Sequence, residues 1–294
     1  MHVRSRLRSA RWRTRNRIAR HPSTFLRTAG FSDAQADEWL IGRHKALCID
    51  GFPRSATTFA VAAFQLAQPR PIQVAHHSHA PAQLIAAARW GIPSLVTIRA
   101  PEQSVLSTAV YHPYLTVATA LRSYVEFYEA IRRYRPALVV GEFSDITSRL
   151  DHVIRRVNQQ FGCDCSEYRH SPERDNTVFS VINQGDASSP TNPLVTSFFS
   201  GGIGYRELRE LLRRDFGIDL DPDSPAHQST VARPSADRER MKARLRLAYW
   251  DPDLATLRAR AAHVYHEFTS DGASVAAPAL EVAGTRSFDA PPPR

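Results

Sequence analysis

The residues of this 294-residue chain that could do chemistry begin with a short run, Gly51-Phe52-Pro53-Arg54-Ser55-Ala56-Thr57-Thr58-Phe59. It sets one cation and three hydroxyls between an apolar stretch, Ala46 to Ile49, and an alanine-rich stretch, Ala60 to Ala67. That pattern predicts strand, loop and helix in succession. Ser55 to Thr58 then open the helix, where free backbone N–H groups and the positive end of the helix dipole attract an anion. Against the ordinary phosphate loop, Gly51 and Thr58 fit the first glycine and the last hydroxyl, but Ala56 replaces the second glycine and Thr57 the lysine. The cation is Arg54, three residues earlier. Nucleoside triphosphate hydrolysis places that lysine on the β- and γ-phosphates, so the loop points to a phosphate-like ligand held differently. A capped helix after a strand is the plainer alternative for this stretch.

The elements needed to position these groups follow from the pattern of the chain. Ser32 to His44 predicts a short helix capped by Ser32 or Asp33, and the core starts at Ala46. After the helix of Thr58 to Ala67, a second strand is expected at Ile72 to Ala75, followed by His76-His77-Ser78-His79. A helix over Pro81 to Trp90 leads to a third strand, Ser94 to Ile98, which ends at Arg99. Helices are expected over Pro101 to Val110 and Val117 to Arg133, then a fourth strand, Ala137 to Val140, before Gly141-Glu142, and a helix from Asp145 to Phe161. Strands alternating with helices at this spacing predict an α/β fold with a central parallel sheet flanked by helices. Ligands of such sheets collect at the carboxyl ends of the strands. Arg54, the histidines, Arg99 and Glu142 each follow a strand, so they are expected on one rim.

Composition bounds the rest. Nine arginines between Arg4 and Arg27 precede the first acidic residue, Asp33, and the remaining 29 basic residues balance the 29 acidic ones. The net charge of +9 therefore belongs to residues 1–28, read as a basic flexible arm able to touch nucleic acid, anionic lipid or an acidic partner. No stretch approaches the roughly 20 apolar residues of a membrane span, and no secretory core opens the chain. A cytoplasmic protein with reduced thiols is expected, since Cys48, Cys163 and Cys165 make no disulfide framework. Cys163 and Cys165 have no second Cys/His pair at zinc spacing. Residues 29–270 read as a single domain and 271–294 as a flexible tail. Residues 183–202, rich in Ser, Asn, Gly and Pro, read as a long loop, and helices over Tyr205 to Phe216, Arg238 to Tyr249 and Leu254 to Phe268 read as packing elements.

The loop, with two later segments, resembles PAPS-dependent sulfotransferases, whose donor is 3′-phosphoadenosine 5′-phosphosulfate. Phe52-Pro53-Arg54-Ser55-Ala56-Thr57-Thr58 is similar to the family's Tyr/Phe-Pro-Lys/Arg-Ser-Gly-Thr-Thr loop for the 5′-phosphosulfate. Thr97-Ile98-Arg99-Ala100-Pro101, with Ser107 eight residues after Arg99, resembles the segment that holds the 3′-phosphate. His77-Ser78-His79-Ala80-Pro81 resembles the Lys-Thr-His-x-Pro segment of the catalytic histidine. The resemblance covers about residues 46 to 160 and implies a P-loop-like sulfotransferase architecture. It also implies a reaction that moves a sulfuryl group from PAPS to a hydroxyl or amine.

In-line transfer of that group puts charge on its oxygens and on the departing phosphate, so positioned cations and N–H donors supply most of the catalysis and no metal is required. The resemblance assigns Arg54 to the sulfonate and bridging oxygen, and Ser55, Ala56, Thr57, Thr58 and Phe59 to the donor. Arg99 and Ser107 fall on the 3′-phosphate, and His79 is the base that takes the acceptor's proton, with His76, His77 and Glu142 as rivals. Three departures stand out: Ala56 for glycine, Phe59 for a tryptophan near the adenine, and no match to the late Arg-Lys-Gly loop, for which Arg174 in Arg169 to Asn192 is the candidate. Tyr111 to Tyr114 and Arg169 to Gly202 are where acceptor contacts are expected. A P-loop nucleotide kinase is the alternative enzyme, disfavoured by Thr57 in the lysine position. The non-enzymatic alternative is an RNA- or lipid-binding protein that uses the arginine arm.

Overall fold

In a computed structural model, residues 2–32, 36–185, 189–220 and 235–270 are described. Four parallel strands form the centre: β1 (Leu47–Gly51), β2 (Val74–His76), β3 (Ser94–Ile98) and β4 (Val139–Glu142), in the spatial order β2-β1-β3-β4. Every residue of β1, β2 and β3 is buried, which accounts for their continuous apolar character. The chain leaves β1 toward β2, then crosses back over β1 to reach β3. The topology therefore reverses between β1 and β3, and the crevice beside such a reversal is where open α/β sheets bind ligands.

Fourteen α-helices surround the sheet among the described residues. Before it lie α1 (His2–Ile18), α2 (Pro22–Ser32) and α3 (Ala36–Trp39). Next come α4 (Thr57–Ala67), α5 (Pro81–Arg89), α6 (Pro101–Tyr111), α7 (Val117–Ile131), α8 (Phe143–Ser148) and α9 (Leu150–Phe161). The chain continues through α10 (Pro172–Gln184), α11 (Asn192–Ser200), α12 (Tyr205–Phe216), α13 (Ala236–Tyr249) and α14 (Ala255–Thr269). Proline opens α5, α6, α10 and α11, where its missing N–H costs nothing and its fixed φ suits the first turn. Alternate strand residues feed two cores. Cys48, Val96, Ile98 and Val140 pack with Leu84, Val105, Tyr124, Tyr128 and Phe268 on one face. Leu47, Ile49, Leu95 and Val139 pack with Phe64, Ile154, Val195, Phe198 and Leu212 on the other. Each fully buried side chain of this size contributes about 1.5–3 kcal/mol. No helix among the described residues is long and apolar enough to cross a membrane.

Four sequence expectations change. Residues read as a flexible arm form α1 and α2, and the expected helix of Ser32 to His44 shortens to α3, residues 33–35 lying outside the described ones. Ala19, Phe25, Ala29, Leu40, Ala80 and Ala82 make a third apolar cluster that docks this N-terminal segment on α5. The predicted loop of 183–202 contains α11, whose Val195, Phe198 and Phe199 are buried. Gly201 ends α11 at φ 80°, and a Cβ there would lie 1.9 Å from the Ile72 carbonyl oxygen, so only glycine lets α11 close onto the entry to β2. The expected helix from Asp145 to Phe161 is broken at Arg149 into α8 and α9. The predicted tail, 271–294, lies outside the described residues.

Candidate active site at the ends of β1 and β3

The loop after β1 is held against β3 by hydroxyl groups. Ser55 Oγ donates to the Phe52 carbonyl at 2.5 Å and meets Thr97 Oγ1 at 2.9 Å, while Thr57 Oγ1 meets the same Thr97 oxygen at 2.8 Å. Ser104 Oγ of α6 donates to the Pro53 carbonyl at 3.0 Å. Gly51 lies so close to β3 that a Cβ would come within 2.3 Å of the Thr97 carbonyl oxygen. Arg54 and Ala56 sit at φ 68° and 71° on either side of Ser55, which has no such φ. Alternation of this kind turns successive N–H groups into one concavity, an anion nest, and α4 starts from it. The expected donors Ser55 and Thr57 are buried and spend their hydroxyls on Thr97. Thr58 is only partly buried and bonds His77.

Arg54 and Arg99 come together because β1 and β3 are neighbours. Arg99 Nη1 donates to the Arg54 carbonyl at 3.3 Å, and its guanidinium lies 3.9 Å from the centre of the Phe143 ring. Arg99 Nε donates to Gln103 Oε1 at 3.1 Å and Arg54 Nε to Ser107 Oγ at 3.1 Å, so one face of α6 orients both cations. Ser107 is thus placed on Arg54, whereas the sequence pairs it with Arg99. Tyr111, one turn further along α6, puts its ring 5.2 Å from the Arg54 guanidinium. Burial lowers both arginine pKa values, and Arg54 lowers that of Arg99 further. Two desolvated cations on one rim favour anionic groups there. Arg238 of α13 also acts on Arg54 electrostatically.

Asp50, the last side chain before the loop, organises the histidine segment. Its carboxylate is fully buried and accepts from Gly51 N–H (2.8 Å), Ser78 N–H (3.1 Å), Ser78 Oγ (2.6 Å), His79 N–H (3.2 Å) and Gln83 Nε2 (3.0 Å). Burial pushes its pKa up, and His79 and these donors oppose that. Arg15 of α1 donates to the Ser78 carbonyl, so α1 grips the same turn from the other side. The turn holds His77 and His79 at φ 53° and 46°, backbone strain of the kind that clusters at functional sites. His79 Nδ1 donates to the Gly51 carbonyl at 2.8 Å, which leaves Nε2 as the bare, basic nitrogen. Burial lowers the His79 pKa and Asp50 works against that, so the ring is neutral at pH 7 and able to take a proton. His79 also borders a cavity of about 10 Å³ with Trp12, Asn16, Ser123 and Glu126, room for one water.

The rivals are placed elsewhere. His76 and His77 bond each other through Nδ1 at 2.7 Å, and His77 Nε2 meets Thr58 Oγ1 at 2.9 Å, so His77 has no nitrogen left for a substrate proton. Glu142 accepts from Tyr265 Oη at the outer strand β4. Phe59 is 6% exposed and packs against His170, Tyr168 and Phe179, which covers the ring expected near a nucleotide base. Arg174 lies over Tyr168 at 4.7 Å, and no contact among the described residues joins it to Arg99. The residues that sequence reasoning passed over are Asp50, Thr97, Arg15 and Arg238. Asp50 had a signal, a carboxylate inside an apolar strand; Arg15 and Arg238 had none. No group of three or more His, Cys, Asp or Glu among the described residues is arranged to hold a metal ion. In comparisons with known proteins, no family model, no curated protein and no solved structure matches the chain.

Proposed function

We propose that the chain is a sulfotransferase of P-loop-like architecture that takes 3′-phosphoadenosine 5′-phosphosulfate as donor and an alcohol or amine as acceptor. The observation that carries this reading is the pair Arg54 and Arg99, set side by side at the topological reversal and oriented by Ser107 and Gln103 of α6. Two adjacent cationic arms with an anion nest between strand and helix suit a ligand with two separate anionic groups. The resemblance of the loop and of Arg99-Ala100-Pro101 to sulfotransferase segments supports the same ligand.

In this reading the nest and Arg54 hold the phosphosulfate, and Arg99 holds the 3′-phosphate. His79 Nε2 takes the proton of the acceptor hydroxyl as its oxygen bonds to sulfur. The bond from sulfur to the bridging oxygen breaks, and its electron pair leaves on the phosphate of adenosine 3′,5′-bisphosphate. Arg54 stabilises that charge, and because a guanidinium keeps its proton the leaving phosphate departs as an anion.

Calorimetry with adenosine 3′,5′-bisphosphate is the direct test. Saturable binding is expected, weakened roughly 10- to 100-fold in Arg99→Ala, since a charge-assisted hydrogen bond contributes about 1.5–3 kcal/mol. His79→Ala is expected to keep that binding and lose roughly 10²- to 10⁴-fold in transfer of labelled sulfonate. A wild-type protein that binds no bisphosphate overturns the proposal.

A further inference from the structure

Of the three hydroxyls in the loop, Ser55 is taken up by the Phe52 carbonyl and Thr97, Thr57 by Thr97, and Thr58 alone is partly exposed. Its oxygen faces His77 Nε2 at 2.9 Å, His77 Nδ1 faces His76 Nδ1 at 2.7 Å, and His76 Nε2 is buried with no hydrogen-bond partner. The His77 ring is fixed in this line by Phe199, stacked at 5.6 Å with an interplanar angle of 22°. Burial pushes the His76 pKa well below its usual range and that of His77 down to about 3, so both rings are neutral at pH 7. Two neutral imidazoles that meet Nδ1 to Nδ1 share one proton, and this leaves two arrangements.

In one arrangement the shared proton sits on His77. His77 Nε2 is then bare, it draws the Thr58 hydroxyl hydrogen toward itself, and Thr58 shows only lone pairs to the nest. His76 would also bury an unpartnered N–H, the rarer defect in folded proteins. In the other arrangement His76 Nδ1 donates to His77 Nδ1, and His77 Nε2–H donates to Thr58 Oγ1. The Thr58 hydrogen is then free to point at an anion, and the unpartnered atom is an acceptor.

We infer that His77 is a positioning residue which, backed by His76, donates to Thr58 and turns its hydroxyl hydrogen onto the anion held by the nest after β1. The inference rests on the sulfotransferase reading for the identity of that anion. His77 thereby does work distinct from that of His79: it sets a donor to the 5′-phosphate seated in the nest and touches no acceptor proton. His77 follows β2 directly, at φ 53°, and its ring meets Thr58 at the start of α4.

Two-bond ¹⁵N–¹H correlation spectra of the full-length protein at pH 7.5 read the tautomers directly. The expected result is a proton on His76 Nδ1 and on His77 Nε2. A proton on His77 Nδ1 overturns the inference. Thr58→Val and His77→Phe are each expected to weaken adenosine 3′,5′-bisphosphate binding about tenfold, with the double variant no weaker than either single one and His77→Gln, which keeps a donor, close to wild type. Additive losses overturn the inference, and should His77→Phe not fold, the spectrum and Thr58→Val still decide. A wild-type protein with the expected tautomers that binds no bisphosphate removes the donor assignment alone. Inorganic sulfate is then the probe, and equal sulfate affinity in wild type and Thr58→Val overturns the role of the hydroxyl.

Discussion

Ala56 occupies a backbone conformation, φ 71° and ψ 19°, that glycine adopts freely and an L side chain adopts at a cost of about 1–2 kcal/mol. Neither neighbouring hydroxyl caps the helix there, so the strain is sustained by Ser55 and Thr57 binding Thr97 on either side. Ala56→Gly is expected to raise unfolding stability by about 0.5–1 kcal/mol, the relief of the strained backbone exceeding the added freedom of glycine in the unfolded chain. Urea denaturation checks this, and a lower midpoint would show that the methyl group contributes packing that outweighs the strain. The same loop shows what residue types alone convey. Its cation and hydroxyls marked a candidate anion site, but the type of a hydroxyl carries no information about whether it faces ligand or neighbour. Ser55 and Thr57 face Thr97, a residue 40 positions or more away in sequence.

At the scale of elements, α1 is the largest departure from a sequence reading. Its string of arginines has no apolar period strong enough to announce packing, and its docked face is polar. Trp12 Nε1 and Asn16 Nδ2 both donate to Ser123 Oγ of α7, at 3.1 and 3.0 Å, and Arg20 pairs with Glu126 at 2.5 Å. Such contacts depend on α7 being in place, so no local pattern signals them. Ser123→Ala leaves two donors without their acceptor and is expected to cost about 1–2 kcal/mol. Hydrogen exchange should accelerate in α1 while amides of β1 and β3 keep their protection; unchanged exchange in α1 would show that the cluster around Phe25 and Ala82 suffices to hold it. α11 was hidden for a different reason. Its apolar residues Leu194, Val195, Phe198 and Phe199 have helical spacing, but Ser, Asn, Gly and Pro on both sides dominate the composition.

For the molecule as a whole, three histidines at one strand end, His76 buried and His77 and His79 partly buried, couple stability to pH. In the fold His76, His77 and His79 are held neutral by burial, with Lys45 adding to the effect on His76 and Asp50 opposing it on His79. In the unfolded chain each takes up a proton near pH 6.5. Below that pH the unfolded state binds more protons, so stability falls as pH drops from about 6.5 toward about 3, where folded His77 titrates. His77 contributes up to about 1.4 kcal/mol per pH unit in that window, and the lowered pKa values of His76 and His79 act in the same direction. Urea midpoints at pH 7.5 and 5.0 should differ accordingly, with a shallower dependence in His77→Phe; equal midpoints in the wild type would contradict neutral burial. How much of the fold could be read beforehand follows from what is local. Four strands and most helices were legible because each buried strand is a short apolar run and each long helix has its own period, start and stop. Arg54, His79 and Arg99 were legible as candidates because each follows a strand in an α/β alternation. The order β2-β1-β3-β4 was not, since four parallel buried strands have nearly interchangeable sequences and their neighbours are chosen by how the crossing helices pack. That order alone puts Arg54 beside Arg99, gives Ser107 to Arg54, closes Asp50 around the histidine turn, and separates His77 on Thr58 from His79 on Gly51. The chain by itself determined the parts of a candidate anion site; tertiary structure decided which part touches which, because side-chain partners lie tens of residues apart and hydrogen bonds are made only at contact.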